Sequence, residues 1–186
     1  MSSQRHARDP VLDALHAQVL DVGLRRTTLA DVARRAGVSR MTVYRQYGDL
    51  PTVVAALLTR ELADLMAEVE GSLGELPTAR DRLVEAAVHL VERLQEHPLY
   101  RRILDLDPEL LLPLVVDRFG STQRAALALA DAQIQHGQVD GSIREGEPAV
   151  LATTVLLACQ SFVFSARLVD GAVLAELRGL LEGYLR

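Results

Sequence analysis

The sequence contains no lysine and no tryptophan, and Cys159 is the only cysteine among its 186 residues. One cysteine excludes an internal disulfide and is typical of a reducing cytosol. Because Cys159 lies in the apolar segment VLLACQSFVF, we interpret it as a small buried hydrophobic side chain. No uninterrupted apolar run of about 18 residues occurs, and the N-terminus is polar, so we predict a cytoplasmic protein without a membrane span.

Positive charge is scarce overall but unevenly distributed. The formal net charge is −5, which by itself argues against nucleic acid as a partner. Residues 1–50 nevertheless carry eight arginines against five aspartates, whereas residues 51–186 carry twelve arginines against twenty acidic residues. This asymmetry indicates a basic N-terminal part and an acidic body.

Helical periodicity extends over almost the whole chain, with no convincing strand pattern and no internal repeat. About half of the residues are apolar, which is enough for a sizeable core. We therefore predict an all-α fold of about nine helices. The first begins at Pro10 after the N-cap Asp9, and Asp49 caps the long fourth helix. The predicted helices include 10–22, 28–36, 40–47, 50–73, 78–96, one that ends near 106, one that starts at 107, 121–136, 148–168 and 172–185.

The segment VSRMTVYRQYGDL has too little apolar surface for a core element, yet it lies between strongly apolar helices. Thr28 has capping-box spacing to Asp31, Gly37 stands where a left-handed C-cap belongs, and Ser39 is a further N-cap. Two short helices separated by so tight a turn form the helix-turn-helix pattern. The second helix of that motif exposes one face to a groove of DNA, so it needs only a small buried face, here Val43 and Tyr47.

The exposed face carries side chains suited to DNA. Arg40 and Arg45 can donate two hydrogen bonds to guanine, and Met41 can contact a thymine methyl group. Amide groups at the start of the second helix form a phosphate site. The alternative is a polar helical hairpin without a ligand. The predicted DNA contacts are Thr28, Ser39, Arg40, Met41, Thr42, Tyr44, Arg45 and Gln46.

The stretch TTLADVARRAGVSRMTVYRQYGDLPTVVAALL resembles the DNA-binding head of the TetR (tetracycline-repressor-like) family, and the rest of the chain matches only in its all-helical architecture. The resemblance implies a DNA-binding domain at 1–49 and an effector-binding and dimerisation domain at 50–186. It also implies a homodimer that binds a palindromic DNA operator, usually as a repressor, and is released by an unknown small molecule in a C-terminal cavity. No cofactor is expected.

One position departs from the family pattern. Members often have lysine, which contacts a phosphate, where this chain has Leu50, and Asp49 beside it is unfavourable to DNA. One phosphate contact per subunit is therefore in doubt. The N-terminal arm, with Arg5 and Arg8, either enters the minor groove or is disordered.

Residues of the cavity and of the dimer interface are assigned from the resemblance and from helical spacing. His89 and Arg93 lie four apart and suit an anionic or carbonyl-bearing ligand, or else form a surface pair with Glu85 and Glu92 nearby. Phe162 and Phe164 are candidates for the cavity, the core or the dimer contact. The candidate ligand-binding residues are His89, Arg93, Tyr100, Gln123, Gln160 and Phe162. The candidate dimer contacts are Val155, Cys159, Phe162, Val163, Leu177, Leu181 and Tyr184.

Other functions have weaker support in the residues. Asp105, Asp107 and Glu109 suggest a metal site, but a helix start explains the same carboxylates. No phosphate-binding glycine loop and no nucleophile motif is present, so we do not expect an enzyme. A helical interaction module whose head has lost DNA binding is the remaining alternative.

Overall fold

The computed structural model describes residues 9–106, 120–165 and 172–186, without the side chains of residues 121, 122 and 172. Every regular element in these ranges is an α-helix, which confirms the predicted all-α class. The helix predicted to start at Asp107 lies outside the described residues, as do Arg5 and Arg8. The helices are α1 (Pro10–Val22), α2 (Leu29–Ala36), α3 (Arg40–Tyr47), α4 (Leu50–Ser72), α5 (Ala79–Glu96), α6 (Pro98–Leu106), α7 (Ser121–Val139), α8 (Pro148–Ser165) and α9 (Ala172–Leu185).

The chain divides into two compact units. The first contains the described residues up to Glu61 together with α6, and the second contains the described residues from Leu62 to His97 and from Gly120 onward. The division falls inside α4, twelve residues after the boundary predicted at residue 49. The predicted boundary lies at a break between two helices. The observed division follows the packing instead, because α6 returns to pack against α1.

The first unit is built from short helices whose ends are capped as the sequence predicts. Asp9 accepts hydrogen bonds from the amides of Val11 and Leu12 at the start of α1. Gly37 has φ of +69°, the left-handed conformation that ends α2 with little steric cost for glycine. The core of this unit consists mainly of Leu15, Val19, Val32, Val43, Val53, Leu57, Leu99 and Ile103.

In the second unit, α5 packs against α7, α8 and α9. The turn between α7 and α8 is tied to two helix ends. Asp140 accepts from the Ala79 amide at 3.0 Å, and the Arg144 amide donates to the Leu185 carbonyl at 2.9 Å. The start of α5 and the end of α9 therefore lie at the same end of the bundle as this turn.

Helix α8 is unusually apolar for its exposure. In the part of the chain that the structure describes, it is the one helix long and apolar enough to cross a membrane, with mean hydropathy 1.6. The sequence prediction of no span overlooked it because Thr153, Thr154 and Gln160 interrupt its apolar run. Since length and composition alone are weak grounds for a span, the more informative fact is that only 22% of α8 is buried within the chain.

Candidate functional site

Helix α3 presents nearly all of its side chains to solvent. Val43 is its only buried residue and anchors it to the unit. Met41 and Tyr44 are large and apolar or aromatic, yet 71% and 63% exposed. An α-helix with its side chains is about 10 to 12 Å in diameter, which fits the width of a DNA major groove. The exposed face thus combines hydrogen-bond donors with apolar contact groups on a rigid helix.

The turn before α3 is fixed by local hydrogen bonds. The Ser39 hydroxyl accepts from the Thr42 amide at 3.0 Å and lies 2.8 Å from the Thr42 hydroxyl. At the start of α2, the Thr28 hydroxyl accepts from the Asp31 amide and donates to the Asp31 carboxylate at 2.6 Å. These bonds hold the pKa of Asp31 below its usual value. The predicted caps are confirmed, and their role as DNA contacts stays a prediction.

Asp9 connects the start of α1 to the end of α3. Its Oδ1 caps α1, and its Oδ2 accepts from the Tyr47 hydroxyl and from Gln46 Nε2 at 2.9 Å. Partial burial opposes ionisation of Asp9, but the hydrogen bonds from Tyr47 and the backbone outweigh it and lower the pKa. The sequence predicts the cap but not these two long-range bonds, which give Gln46 a structural partner.

Both arginines of α2 are neutralised by neighbouring carboxylates. Arg34 pairs with Asp31 at 2.7 Å and Arg35 pairs with Asp21 at 2.6 Å. Arg40 and Arg45 differ, since neither has an ion-pair partner within residues 9–106, 120–165 and 172–186. Unpaired positive charge is therefore available on α3 for an external anion.

The residues directly after α3 serve helix α4. Asp49 Oδ1 accepts from the Thr52 amide at 2.8 Å, and this bonding lowers the pKa of Asp49. Asp49 is thus committed to a cap, as predicted. Leu50 is half-buried and carries no charge.

A buried carboxylate holds α1 and α4 together beneath this surface. Glu61 is 8% exposed, lies 3.2 Å from His16 Nδ1 and accepts from Arg60 Nη2 at 2.9 Å. Arg60 also reaches Asp13 on α1 at 2.7 Å. Burial of Glu61 opposes its ionisation, but the bonds from His16 and Arg60 prevail and lower its pKa. These ion pairs stabilise the first unit and do not provide a reactive group.

The second unit encloses a cavity of about 340 Å³. Its lining comes from α4, α5, α7 and α8 and is almost entirely aliphatic, with Leu, Val, Ala and Met side chains. The polar members are Glu70, Arg82, Gln123, Gln133 and Gln160, together with the thiol of Cys159. Burial raises the pKa of Cys159 to about 11, so the thiol is neutral near pH 7.

Two of the predicted ligand residues, Gln123 and Gln160, line this cavity. The other four lie elsewhere. His89 is 3.6 Å from Glu85 and Arg93 is 2.9 Å from Glu68, so both belong to surface ion pairs. The Tyr100 hydroxyl donates to the Leu58 carbonyl in the first unit, and Phe162 is half-buried outside the lining. The sequence does not predict that Arg82 lines the cavity, because its spacing from other residues shows no distinctive pattern.

The predicted dimer contacts are mostly inside the chain. Leu177 and Leu181 are buried, and Val155, Cys159 and Val163 line the cavity. Tyr184 is half-buried, with its ring 4.7 Å from the guanidinium carbon of Arg144. The apolar side chains that α8 and α9 actually expose are Val150, Leu157, Val173 and Leu180.

No group of three or more His, Cys, Asp or Glu side chains in the described ranges is arranged to hold a metal ion. Of the carboxylates considered for metal binding, Asp107 and Glu109 lie outside those ranges, and Asp105 is exposed at the end of α6.

Comparison with known proteins gives a consistent result. Residues 11–49 match the family described as bacterial regulatory proteins, tetR family. Over 180 residues the chain is 37% identical to an uncharacterized HTH-type transcriptional regulator of Mycobacterium tuberculosis H37Rv, covering 94% of this chain and 92% of that protein.

Two solved structures share the fold. The TetR family repressor AlkX from Dietzia sp., implicated in biodegradation of n-alkanes, aligns with a TM-score of 0.73 at 19% identity, covering 98% of this chain and 97% of AlkX. The regulator FadR from Bacillus subtilis, in complex with stearoyl-CoA, aligns with a TM-score of 0.68 at 16% identity, covering 95% of this chain and 98% of FadR. At such identities the likeness shows the fold alone.

Proposed function

This chain belongs to the TetR family of bacterial transcriptional regulators, and from that premise we propose that it is a repressor that binds a palindromic operator as a homodimer and is released by a small molecule in its cavity. Because it is a DNA-binding regulator, we expect it to be located in the cytoplasm rather than at a membrane. Residues 1–49 form the DNA-binding domain in this proposal, and residues 50–186 bind the effector and dimerise.

The exposed face of α3 carries the proposal. Among the residues that the structure describes, Arg40 and Arg45 have no carboxylate partner, while the neighbouring Arg34 and Arg35 are paired. An unpaired arginine on a rigid helix suits the paired acceptors of guanine in the major groove. Gln46 and Tyr47 at the far end of α3 are held by Asp9, which keeps the helix in one orientation. Orientation matters because sequence-specific readout depends on fixed geometry at each base pair.

A second copy of the chain is the proposed partner of α8 and α9. On α8, Val150, Thr154, Leu157 and Ser161 recur at helical spacing and are all exposed. On α9, Val173 and Leu180 are exposed and Gly179 and Gly183 permit close approach. The Thr154 hydroxyl donates to the Val150 carbonyl at 2.9 Å, so its donor stays hydrogen-bonded when this face is removed from water. Such a face suits a four-helix dimer contact, and a two-fold dimer matches a palindrome.

The cavity is the proposed effector site. Its volume of about 340 Å³ lies within the range of small-molecule pockets, and its lining is aliphatic with a few polar groups. Of the two structures that share the fold, AlkX is described as implicated in biodegradation of n-alkanes and FadR is in complex with stearoyl-CoA. Both descriptions support an apolar effector here. Release of DNA requires that the effector prefer one conformation of the dimer over the DNA-bound one.

Repression can be measured in a bacterial reporter strain. An operator selected from random duplex DNA is placed between a promoter and a reporter gene, and the protein is expressed in the same cells. We expect reporter transcription to fall with the wild-type protein and with Arg101→Ala, which removes an exposed charge on α6. We expect transcription to recover with Arg45→Ala. Increased transcription with the wild-type protein would overturn repression, and an unchanged signal despite occupied operator would overturn the regulatory role.

A further inference from the structure

We propose that the cavity binds a long aliphatic chain that ends in one anionic head group, with the chain along α5 and the head at Arg82. This assignment rests on the proposed function in that it names the chemical class of the effector.

The lining selects for an aliphatic rather than an aromatic or strongly polar ligand. It contains no aromatic side chain among the described residues, so it offers no stacking surface. Cys159 adds a neutral thiol instead of a thiolate, because burial raises its pKa to about 11. The amide oxygen of Gln123 already accepts from the Gly120 amide at 2.6 Å, which removes one polar group from the ligand's reach.

The shape favours a chain over a compact molecule. Lining residues on α5 run from Arg82 to Leu94, twelve residues apart, which corresponds to about 18 Å of helix. Alanines face the cavity at the middle of this length, from α5 (Ala86 and Ala87) and from α7 (Ala126 and Ala130). Small side chains on these two helices leave room between them for an extended methylene chain.

Charge is confined to one end of the lining. Arg82 stands at the start of α5 and is the only cationic residue that lines the cavity in the described part of the chain. Its Nη2 donates to Glu70, whose side chain is 60% exposed against 31% for Arg82. Because Glu70 is exposed, this end of the cavity reaches water. A head group at Arg82 therefore stays partly hydrated while the chain is buried.

Arg82 can accept an anion without a costly rearrangement. A guanidinium has five N–H donors, and the bond to Glu70 uses one of them. A ligand carboxylate or phosphate can therefore pair with the remaining donors or replace Glu70. Exposed ion pairs contribute little to stability, so replacing Glu70 costs little. A cationic head group would instead have to compete with Arg82 for the Glu70 carboxylate.

Calorimetric titration of the full-length protein with saturated fatty acids from octanoate to stearate tests the proposal without DNA. We expect affinity to rise roughly fourfold per added methylene group until the cavity is filled, and then to level off. The methyl esters should bind the wild-type protein roughly five- to tenfold more weakly than the acids, because they lack the charge. Absence of binding, or affinity independent of chain length, would overturn the proposal.

Two pairs of variants locate the ligand. Arg82→Gln should abolish the preference for the acid over its ester, whereas Arg93→Gln, which breaks a similar α4–α5 ion pair outside the cavity, should preserve it. Ala130→Phe should weaken the longest chains most, whereas Ala128→Phe on the exposed face of α7 should not. An unchanged preference in Arg82→Gln would overturn the head-group assignment.

Palmitate and palmitoyl-CoA distinguish the two sources of such a chain. Tighter binding of the free acid identifies the carboxylate as the head group, and tighter binding of the thioester identifies the phosphates of coenzyme A. Chain binding that leaves operator affinity unchanged would refute release by the effector but not the ligand class. Release by other compounds, with no chain binding, would refute the ligand class alone.

Discussion

The Tyr47 hydroxyl at the end of α3 donates a hydrogen bond to the Asp9 carboxylate, which at the same time caps the start of α1. One carboxylate thereby joins the helix that faces outward to the helix that supports it. Gln46 Nε2 donates to the same oxygen of Asp9 at 2.9 Å. The orientation of α3 consequently depends on a residue that precedes the whole motif in the sequence.

Asp9→Ala should lower the free energy of unfolding by about 1 to 2 kcal/mol, since an N-cap and a link to α3 are both lost. The pKa of Asp9 is lowered in the folded protein, so its contribution is present above the pKa of the unfolded state and is lost as pH falls through the folded pKa. Urea unfolding should therefore show a difference between wild type and variant that is full at pH 7 and shrinks below about pH 4. Asp64→Ala, an exposed carboxylate on α4, is the control. Equal losses in both variants would contradict the assigned role.

Gly37→Ala should lower the free energy of unfolding by about 1 to 2 kcal/mol, because φ is +69° and a Cβ is strained there. No atom lies within 4 Å of the added Cβ, so the cost is conformational rather than steric. Gly37→Asn should cost less, since asparagine tolerates this region. Gly71→Ala, one residue before the end of α4 and without a positive φ, is the matched control and should not destabilise the protein. Thermal unfolding of the three variants measures this, and a stabilising Gly37→Ala would refute the assigned turn.

Leu50→Lys should strengthen operator binding by restoring a phosphate contact. The gain should depend on salt, and the slope of log affinity against log salt should steepen by about 0.9 for each added contact. Titration of operator DNA at several salt concentrations measures the slope. Leu106→Lys, an exposed position at the end of α6, provides the same charge for comparison. An identical response of both variants would show that only net charge matters and that position 50 does not contact the backbone.

Leu157→Glu should convert the proposed dimer to a monomer, because Leu157 is 52% exposed in the centre of the apolar face of α8. A carboxylate in an apolar contact carries a large desolvation penalty. Analytical ultracentrifugation reports the change in mass. Val139→Glu, at an exposed apolar position at the end of α7, should leave the dimer intact. A dimeric Leu157→Glu protein would place the interface elsewhere.

Sequence reasoning succeeds where the determining interactions are local. Asp9, Thr28 and Ser39 cap helices through amides two or three residues away, and Gly37 adopts its φ for reasons internal to one turn. Such signals are readable without knowledge of tertiary contacts. The exposure of α3 follows from the same reasoning, because a segment that buries a single valine has no second apolar face to pack against the core.

Contacts between distant helices decide the rest. Helix α9 has apolar residues on several sides, so periodicity does not reveal that Leu177 is buried while Leu180 is exposed. Arg82 and Arg93 look alike in the sequence, yet one lines the cavity and the other pairs with Glu68 outside it. Which of two equivalent arginines faces a cavity depends on how α4 and α5 cross, and no local pattern encodes that crossing.

Selection of bound sequences from random duplex DNA, with purified wild-type protein at moderate salt, tests the central claim most directly. We expect enrichment of a palindrome with half-sites about one helical turn or more apart, and loss of that enrichment in Arg45→Ala. If the folded, dimeric wild-type protein enriches no sequence, that result would contradict the claim that α3 reads DNA. It would favour a helical interaction module instead.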